Sequence, residues 1–419
     1  MLAVLRRRDF TLLWFGGLIS EIGDWLLLIG LPVYVFMLTS STLAMATVFI
    51  LELVPAVVFG SLAGVLVDRW NRQVTMVVVA TAQGVLLLPL LAVHHSDQLW
   101  IVYLIAPAQA LLAQLFEPAR SAALPTLVPA EDLVSANSLM GLSANVARLI
   151  GSSLGGLAVA SGGLTTVVIG DAVTYLLAAL VIAIARFPRK GAGHGSEAER
   201  PTLLRAWYEG MAFIISRRDV RNLLLSTAAG SIAQGMFLVL FVVFVAEVLH
   251  GGGTEIGVLR GVQAIGGVIG GFVIAWVGAR AGHRSLIVGG ALLVGLLSLT
   301  MWNSSYFTQA MTLYVLLFIA VGIPGIANST GTFALLQQAL PDEYLGRVMA
   351  AFLTVFGGFQ ALGMLIAGLA DGFVDTVVLL DVQAGFYILA AVIAYFGLSR
   401  KVPGAAAGRL RNHPTGSIK

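Results

Sequence analysis

The sequence predicts an all-α membrane protein: twelve transmembrane helices in two pseudo-symmetric six-helix bundles. Three observations carry that expectation: the composition, the spacing of the apolar runs, and a repeat between the two halves of the chain. Hydrophobic residues make up 58% of the 419 positions and charged residues 11%, and the mean hydropathy is +0.94. Such a chain has too little polar surface to coat a soluble globule.

A helix needs about 20 mostly apolar residues to cross the hydrocarbon layer. Cutting at charged or Gly/Pro/Asn-rich breaks places the first six spans at 10–38, 42–67, 74–94, 99–117, 135–160 and 166–187. The other six fall at 221–249, 254–278, 285–303, 308–338, 346–370 and 377–399. The first run follows Arg6, Arg7 and Arg8 but is too long for a signal peptide and has no clear cleavage site, so it reads as a retained span. The stretch 187–220 is charged, and amphipathic from Leu203 to Ile215. The expected organisation is a bundle over 1–187, a cytoplasmic linker with an amphipathic segment over 188–220, a second bundle over 221–400 and a cytoplasmic tail over 401–419.

Orientation follows from the basic residues, because loops rich in Lys and Arg stay in the cytoplasm. Of the 24 basic residues, all but Arg148 and Arg260 fall on the side of the even-numbered connections and the termini. This predicts a multi-pass protein of the plasma (inner) membrane with both ends in the cytoplasm. The same scatter argues against a nucleic-acid surface.

The halves repeat at an offset of about 210 residues. "RRD" at 7–9 recurs at 217–219, and Asp24 then falls on Gln234. Gly60 and Arg69 fall on Gly271 and Arg280, and Pro129, Glu131, Leu133, Gly151 and Gly156 on Pro341, Glu343, Leu345, Gly363 and Gly368. Parallel repeats of this kind place a substrate path between the halves.

Ionisable side chains within a bilayer cost about 2.5–3.5 kcal/mol each on insertion scales, so each should face a partner or a wet cavity. The candidates are Glu21, Asp24, Glu52, Arg148, Asp171 and Arg260. At about 1.5 Å per residue, Asp24, Arg148 and Asp171 lie roughly 20–24 Å from the cytoplasmic ends of their spans, so they can cluster. Glu21 and Asp24 share a helix face, an arrangement suited to carrying a proton. The alternative is a fixed pair of Arg148 with Asp24 or Asp171. Glu52 is expected toward the outer side, either in the cavity binding protons or a cationic substrate or at the rim snorkelling to water, and Arg260 in a solvated rim pair with Glu255 or Glu247. Gln83, Gln109, Gln114, Gln234, Gln263, Asn328 and Gln360 supply neutral polarity, and Trp25, Phe237, Phe241 and Phe244 are candidates for an apolar wall.

"GSLAGVLVDRWNRQ", 60–73, with Gly60, Leu62, Gly64, Asp68, Arg69 and Arg72, resembles the loop 2–3 motif of the major facilitator superfamily, Asn71 standing where a glycine is usual. "GDWLLLIGLP" (23–32), the segment 116–151 and "PDEYLGRV" (341–348) are similar to its drug-exporter branch, which includes macrolide efflux proteins and the enterobactin exporter. Lysophospholipid transporters share part of the second stretch, which keeps a lipid substrate open. Gly151, Gly155 and Gly156 match the antiporter motif of span five, while Ser138 and Ala147 replace glycines and Ser152 the proline. Small residues at this spacing also let helices approach closely.

The resemblance implies a secondary active exporter of small amphiphilic or lipophilic molecules, of drug or siderophore type. It would exchange them for protons by alternating access, as a monomer in the lipid bilayer. It further implies a cytoplasmic gate in which Asp68 meets the start of span eleven at Gly346 and Arg347, with Glu117 pairing Arg69 or Arg72. The equivalent loop of the second half carries Ala279 in place of Asp68. A sensor that keeps the fold without transporting is the alternative of a different class. Cysteine is absent, His94 and His95 are adjacent and share no helix face, and no Gly-x-x-x-x-Gly-Lys loop occurs. No enzyme, metal or cofactor chemistry is implied.

Overall fold

The computed structural model describes residues 2–67, 70–187, 203–277, 282–340 and 342–399. The first bundle contains α1 (Arg8–Thr39), α2 (Thr42–Val67), α3 (Arg72–Leu86), α4 (Leu99–Leu127) and α5 (Leu133–Ile184). After α6 (Leu203–Ser216), the second bundle contains α7 (Arg218–Val243), α8 (Gly253–Val277), α9 (His283–Asn303), α10 (Met311–Ala339), α11 (Asp342–Ala370) and α12 (Thr376–Gly397). Among the described residues eleven helices are long and apolar enough to cross a membrane, and α5 contributes two crossings.

Helix α5 shows why. Its 52 residues would reach about 78 Å if straight, more than twice the hydrocarbon thickness, so it must turn back. It turns at Gly162 and Gly163, and Gly163 has φ +61°, a left-handed conformation that costs glycine least. The arms 133–161 and 164–184 are therefore separate spans. The amphipathic α6 lies against the second bundle, with Ile214 buried beside Val220, Leu223 and Phe352.

The repeat in sequence is a repeat in hydrogen bonding. Asp9 accepts from the backbone N–H of Arg186 at 3.0 Å, tying the start of span one to the end of span six. Asp219 does the same for α12, accepting from the N–H and hydroxyl of Ser399 at 3.1 and 2.8 Å. Near them, Gln73 donates to the carbonyls of Ile182 and Ala185 at 3.0 and 2.6 Å, and Arg284 to that of Tyr395 at 2.5 Å. Each pair satisfies carbonyls that a helix end leaves unpaired. Asn71 also acquires a role: its side chain accepts from the N–H of Val74 at 3.2 Å, capping α3.

The two bundles meet along α5 against α8 and α2 against α11. Gly253, Gly257 and Gly261 of α8 run along the first arm of α5, and a Cβ on Gly156 would sit 2.8 Å from the Gly257 Cα. Without hydrophobic drive between helices in lipid, such close backbone packing holds the seam.

The two ends of the molecule differ. At the end opposite the termini one core is shared: Leu31, Val35 and Phe49 of the first bundle join Val239, Phe241 and Val245 of the second. The Thr42 hydroxyl donates to the Asp371 carboxylate across the same end. At the end carrying the termini each bundle closes its own core, around Leu13, Met76 and Phe116 in one and Leu223, Leu336 and Phe352 in the other. Among the described residues the bundles thus share one core at the far end and keep separate cores at the other.

Candidate functional site

A cavity of about 310 Å³ lies at mid-depth in the first bundle, lined by Asp24, Trp25, Glu52, Gln83, Gln109 and Gln114, with Tyr175 and several small apolar residues completing the wall. Helix α1 presents Asp24 into it, and the carboxylate is solvent-exposed although it sits well inside the helix. The hydroxyl of the buried Tyr175, on the second arm of α5, donates to Asp24 at 2.5 Å. Gln83 of α3 donates to the same hydroxyl oxygen at 3.1 Å, and Gln109 of α4 donates to the backbone carbonyl of Gln83 at 2.7 Å. Three spans therefore meet through side-chain hydrogen bonds at one carboxylate, and Gln109 braces the third of them from α4.

Of the two positions expected for Glu52, cavity or outer rim, the structure shows the cavity. The side chain lines it with Asp24, and its Oε2 is buried without a hydrogen-bond partner. Counting residues gave its depth but not the neighbours that α2 turns it toward.

Asp171 stands behind Asp24, fully buried, accepting from the Thr174 hydroxyl at 3.2 Å while its Oδ2 has no partner. It packs against α1 beside Asp24, where a Cβ on Gly23 would clash with the Asp171 Oδ1. Arg148 pairs with neither aspartate. Its guanidinium lies 5.9 Å from the centre of the Trp25 ring and donates to Asn145 at 3.3 Å.

Glu21 and Asp24 also diverge in role. Glu21 forms an ion pair with Arg120 of α4, whose side chain is 4% exposed, and Glu117 pairs with the same guanidinium at 3.1 Å. Sequence reading ended span four at 117 and counted Arg120 among the loop cations. The helix instead runs on to Leu127, with Pro118 and Pro125 inside it. The signal was present in the i, i+3 spacing of Glu117 and Arg120, which lets the charges satisfy one another within a helix.

Of the cytoplasmic-gate residues only a part falls among the described residues. Asp68 and Arg69 lie outside the described residues, and Gly60 and Gly64 fall in the last turns of α2, where only the backbone is described. Glu117 faces Arg120, and Arg72 donates to the carbonyl of Ala122 at 2.7 Å, so of the two expected pairs that of Glu117 with Arg72 is not made. A Cβ on Gly346 would meet nothing within 4 Å, and Arg347 beside it is half-buried.

The glycines of span five do pack tightly. A Cβ on Gly151 or Gly155 would press on Trp25 or Leu26 of α1, at 2.7 and 2.5 Å, and Gly156 faces α8.

In the second bundle Gln234, the counterpart of Asp24, accepts from the Tyr387 hydroxyl at 2.9 Å. Arg260 is not a rim residue. It is 7% exposed, bonds Gln263 at 2.8 Å and lies over the Phe237 ring at 5.1 Å, while Glu255 accepts from the N–H of Gly252. Phe237, Phe241 and Phe244 are buried in the shared core, so of the expected aromatic wall only Trp25 lines the cavity.

Comparisons with known proteins agree with this architecture. Residues 1–413 match the family model described as transmembrane secretion effector. The chain is 24% identical over 368 residues to macrolide efflux protein A of Streptococcus pyogenes, covering 86% of this chain and 88% of that one. It is 25% identical over 369 residues to the multidrug efflux pump Tap of Mycobacterium tuberculosis, covering 85% of each. Among solved structures, a mutant of the nucleoside transporter NupG superposes with a TM-score of 0.77 at 13% identity, over 93% of this chain and all of that one. A bacterial homologue of the iron transporter ferroportin, in an inward-facing state, superposes at 0.71 and 18% identity over 94% and 99%. The chain belongs to the transmembrane secretion effector family of major facilitator transporters, and it is a membrane transporter rather than an enzyme.

Proposed function

We propose that the protein exports small amphiphilic or lipophilic molecules in exchange for protons, by alternating access of its two bundles. The observation that carries this reading is the pair of mid-membrane carboxylates, Asp24 and Glu52, opening on one cavity beside a buried tyrosine–glutamine chain. A carboxylate in such a place is costly unless it exchanges a proton or meets a cation. Asp24 is the principal proton carrier, Glu52 shares its cavity, and Asp171 sets the field behind it. Glu21 with Arg120 holds α1 to α4.

Basic residues gather at the end carrying the termini, so that end is cytoplasmic. The ends at which the bundles keep separate cores then face the cytoplasm, from which an exporter loads. Residues 1–187 and 221–400 move as units, with 188–220 the linker and 401–419 the tail, and one chain suffices. Swinging the other way would bring Asp68, Arg69 and Arg72 toward Gly346 and Arg347 and close the gate, while the seam of Gly151, Gly155 and Gly156 stays tight. Efflux of macrolide or multidrug substrates by the relatives named above supports the export direction.

The test is reconstitution into vesicles with an imposed proton gradient. Gradient-driven movement of ethidium or a macrolide is the expected result. Gradient-independent movement of a labelled lysophospholipid would replace it with a lipid-transport reading, and movement of neither would leave a sensor.

A further inference from the structure

The cavity of the first bundle is walled by hydrogen-bond acceptors that the protein itself does not satisfy. Its polar lining is Asp24, Glu52, Gln83, Gln109, Gln114 and Tyr175, and among the described residues no Lys, Arg or His joins them. Each donor atom of that lining already has a partner inside the protein. The Tyr175 hydroxyl donates to Asp24 at 2.5 Å and the Gln83 amide to the Tyr175 oxygen at 3.1 Å. The Gln109 amide donates to the backbone carbonyl of Gln83 at 2.7 Å and the Gln114 amide to that of Ala110 at 3.5 Å. A carbonyl only accepts, so the Gln109 bond fixes which end of that amide is its oxygen.

The acceptor atoms fare differently. Glu52 Oε2 and Gln109 Oε1 are both buried and meet no donor among the described residues. Glu52 has no ion pair either, since the carboxylates paired among the described residues are Asp132, Glu21 and Glu117.

An unpaired carboxylate within a span is costly, and a buried oxygen without a donor adds to that cost. Asp24 meets part of its need through Tyr175, whereas Glu52 lacks both a counter-charge and an N–H. A protonated amine with several N–H groups supplies both, and its charge-assisted bonds are the stronger kind. A quaternary ammonium of the same size supplies the charge alone. Glu52 is half-buried, so a turn of its last torsion brings either oxygen to a molecule in the cavity.

We propose that Glu52 is the cargo-binding carboxylate of this cavity and, with the glutamine oxygens of the same wall, selects cations that carry N–H donors over permanently alkylated ones. The class comprises primary and secondary ammonium and amidinium groups on an apolar body, which would rest on Trp25, Leu27 and Leu28. Ethidium, a cation with two amino groups, falls within it. Asp24 keeps the proton. This inference rests on the export reading and narrows it to a substrate class.

The test uses three cations that share one tricyclic body: desipramine, a secondary ammonium with two N–H groups, imipramine, a tertiary one with a single N–H, and quaternary N-methylimipramine with none. Binding is measured on the purified full-length protein in phosphatidylcholine nanodiscs against empty nanodiscs, with monodispersity confirmed for each variant. The wild type should bind them in that order, with roughly tenfold or more between first and last, as expected for a hydrogen bond to a charged group. Glu52→Gln should weaken desipramine most and N-methylimipramine least, closing most of the gap. Glu52→Asp, which keeps the charge, should preserve the order.

Equal binding of the three by the wild type, or an order that Glu52→Gln leaves unchanged, would overturn the proposal. An equal loss of all three in Glu52→Gln, the mark of a merely structural role, would do the same. Gradient-driven ethidium efflux by the wild type in vesicles separates the two readings. If it is present while the order is absent, export stands and the donor preference falls. If the order holds and depends on Glu52 but nothing is moved, the cavity stands as a cation site and the export reading falls.

Discussion

The two bundles make the same hydrogen bond at matched positions with different charge. In the first, Tyr175 donates to Asp24 at 2.5 Å, and in the second, Tyr387 donates to Gln234 at 2.9 Å. Behind each pair the substitution recurs: Asp171 of the first bundle corresponds to Gln383 of the second, which accepts from the Trp302 indole at 3.1 Å. A carboxylate can take up and release a proton, and an amide cannot. The repeat has kept the scaffold in both halves and the titratable group in one. The second bundle instead contributes a cation to the seam, Arg260. This asymmetry is the physical basis for assigning proton handling to the first bundle.

Variants that break or sharpen the comparison can be ranked by expected effect. The largest concerns a pair that the second bundle lacks. Arg120→Ala would strand Glu21 beside a desolvated space, and losing one partner of a buried ion pair costs about 3–5 kcal/mol. The expected result is a sharply lower melting temperature in detergent, partly restored in the double variant with Glu21→Gln. Arg284→Ala, removing the half-buried cation of the second bundle that caps α12 and makes no carboxylate pair among the described residues, should shift it less.

Next comes the tyrosine comparison. Tyr175→Phe removes a hydrogen bond to a charged acceptor, worth about 1.5–3 kcal/mol, whereas Tyr387→Phe removes a neutral one worth about 0.5–1.5 kcal/mol. Thermal unfolding should rank them in that order, and only Tyr175→Phe should also change the pH profile of transport. Equal effects on both readouts would mean that the charge difference has no consequence.

The seam follows. Gly156→Ala introduces a Cβ against the backbone of α8, and overpacking costs about 1–3 kcal/mol, so transport should slow while the two bundles retain their separate cores. The smallest effect is expected where the bundles are most alike. Asp9→Ala and Asp219→Ala each remove a side-chain cap on a helix-end backbone group, at a cost of about 1 kcal/mol, and the two melting shifts should be similar, that of Asp219→Ala the larger because Asp219 also accepts from the Ser399 hydroxyl.

Much of this was legible in the sequence. Span number, the turn between 160 and 166, the repeat and the amphipathic α6 all follow from hydropathy and spacing, and "RRD" at both 7–9 and 217–219 marked a shared bond before any partner was known. Depth was legible too, because a helix rises by a fixed step per residue. The direction a side chain takes around its helix was harder to read. Glu21 and Asp24, three residues apart, meet different spans, and Glu52 enters the same cavity as Asp24. Arg120 was assigned to a loop because charge density marks helix ends on average, and the rule fails where charges three apart neutralise each other inside the helix. Arg148 and Arg260 were placed inside spans, but Arg260 was expected at a solvated rim, and its burial over the Phe237 ring depends on how α7 and α8 pack.

The most direct test of the asymmetry is proton-gradient-driven efflux by Asp24→Asn and Gln234→Ala, measured side by side in reconstituted vesicles at matched protein content. Asp24→Asn makes the first bundle as neutral at this position as the second, and the prediction is that gradient-driven efflux disappears while Gln234→Ala retains it. Gradient-driven efflux that survives Asp24→Asn at the wild-type rate would contradict the account.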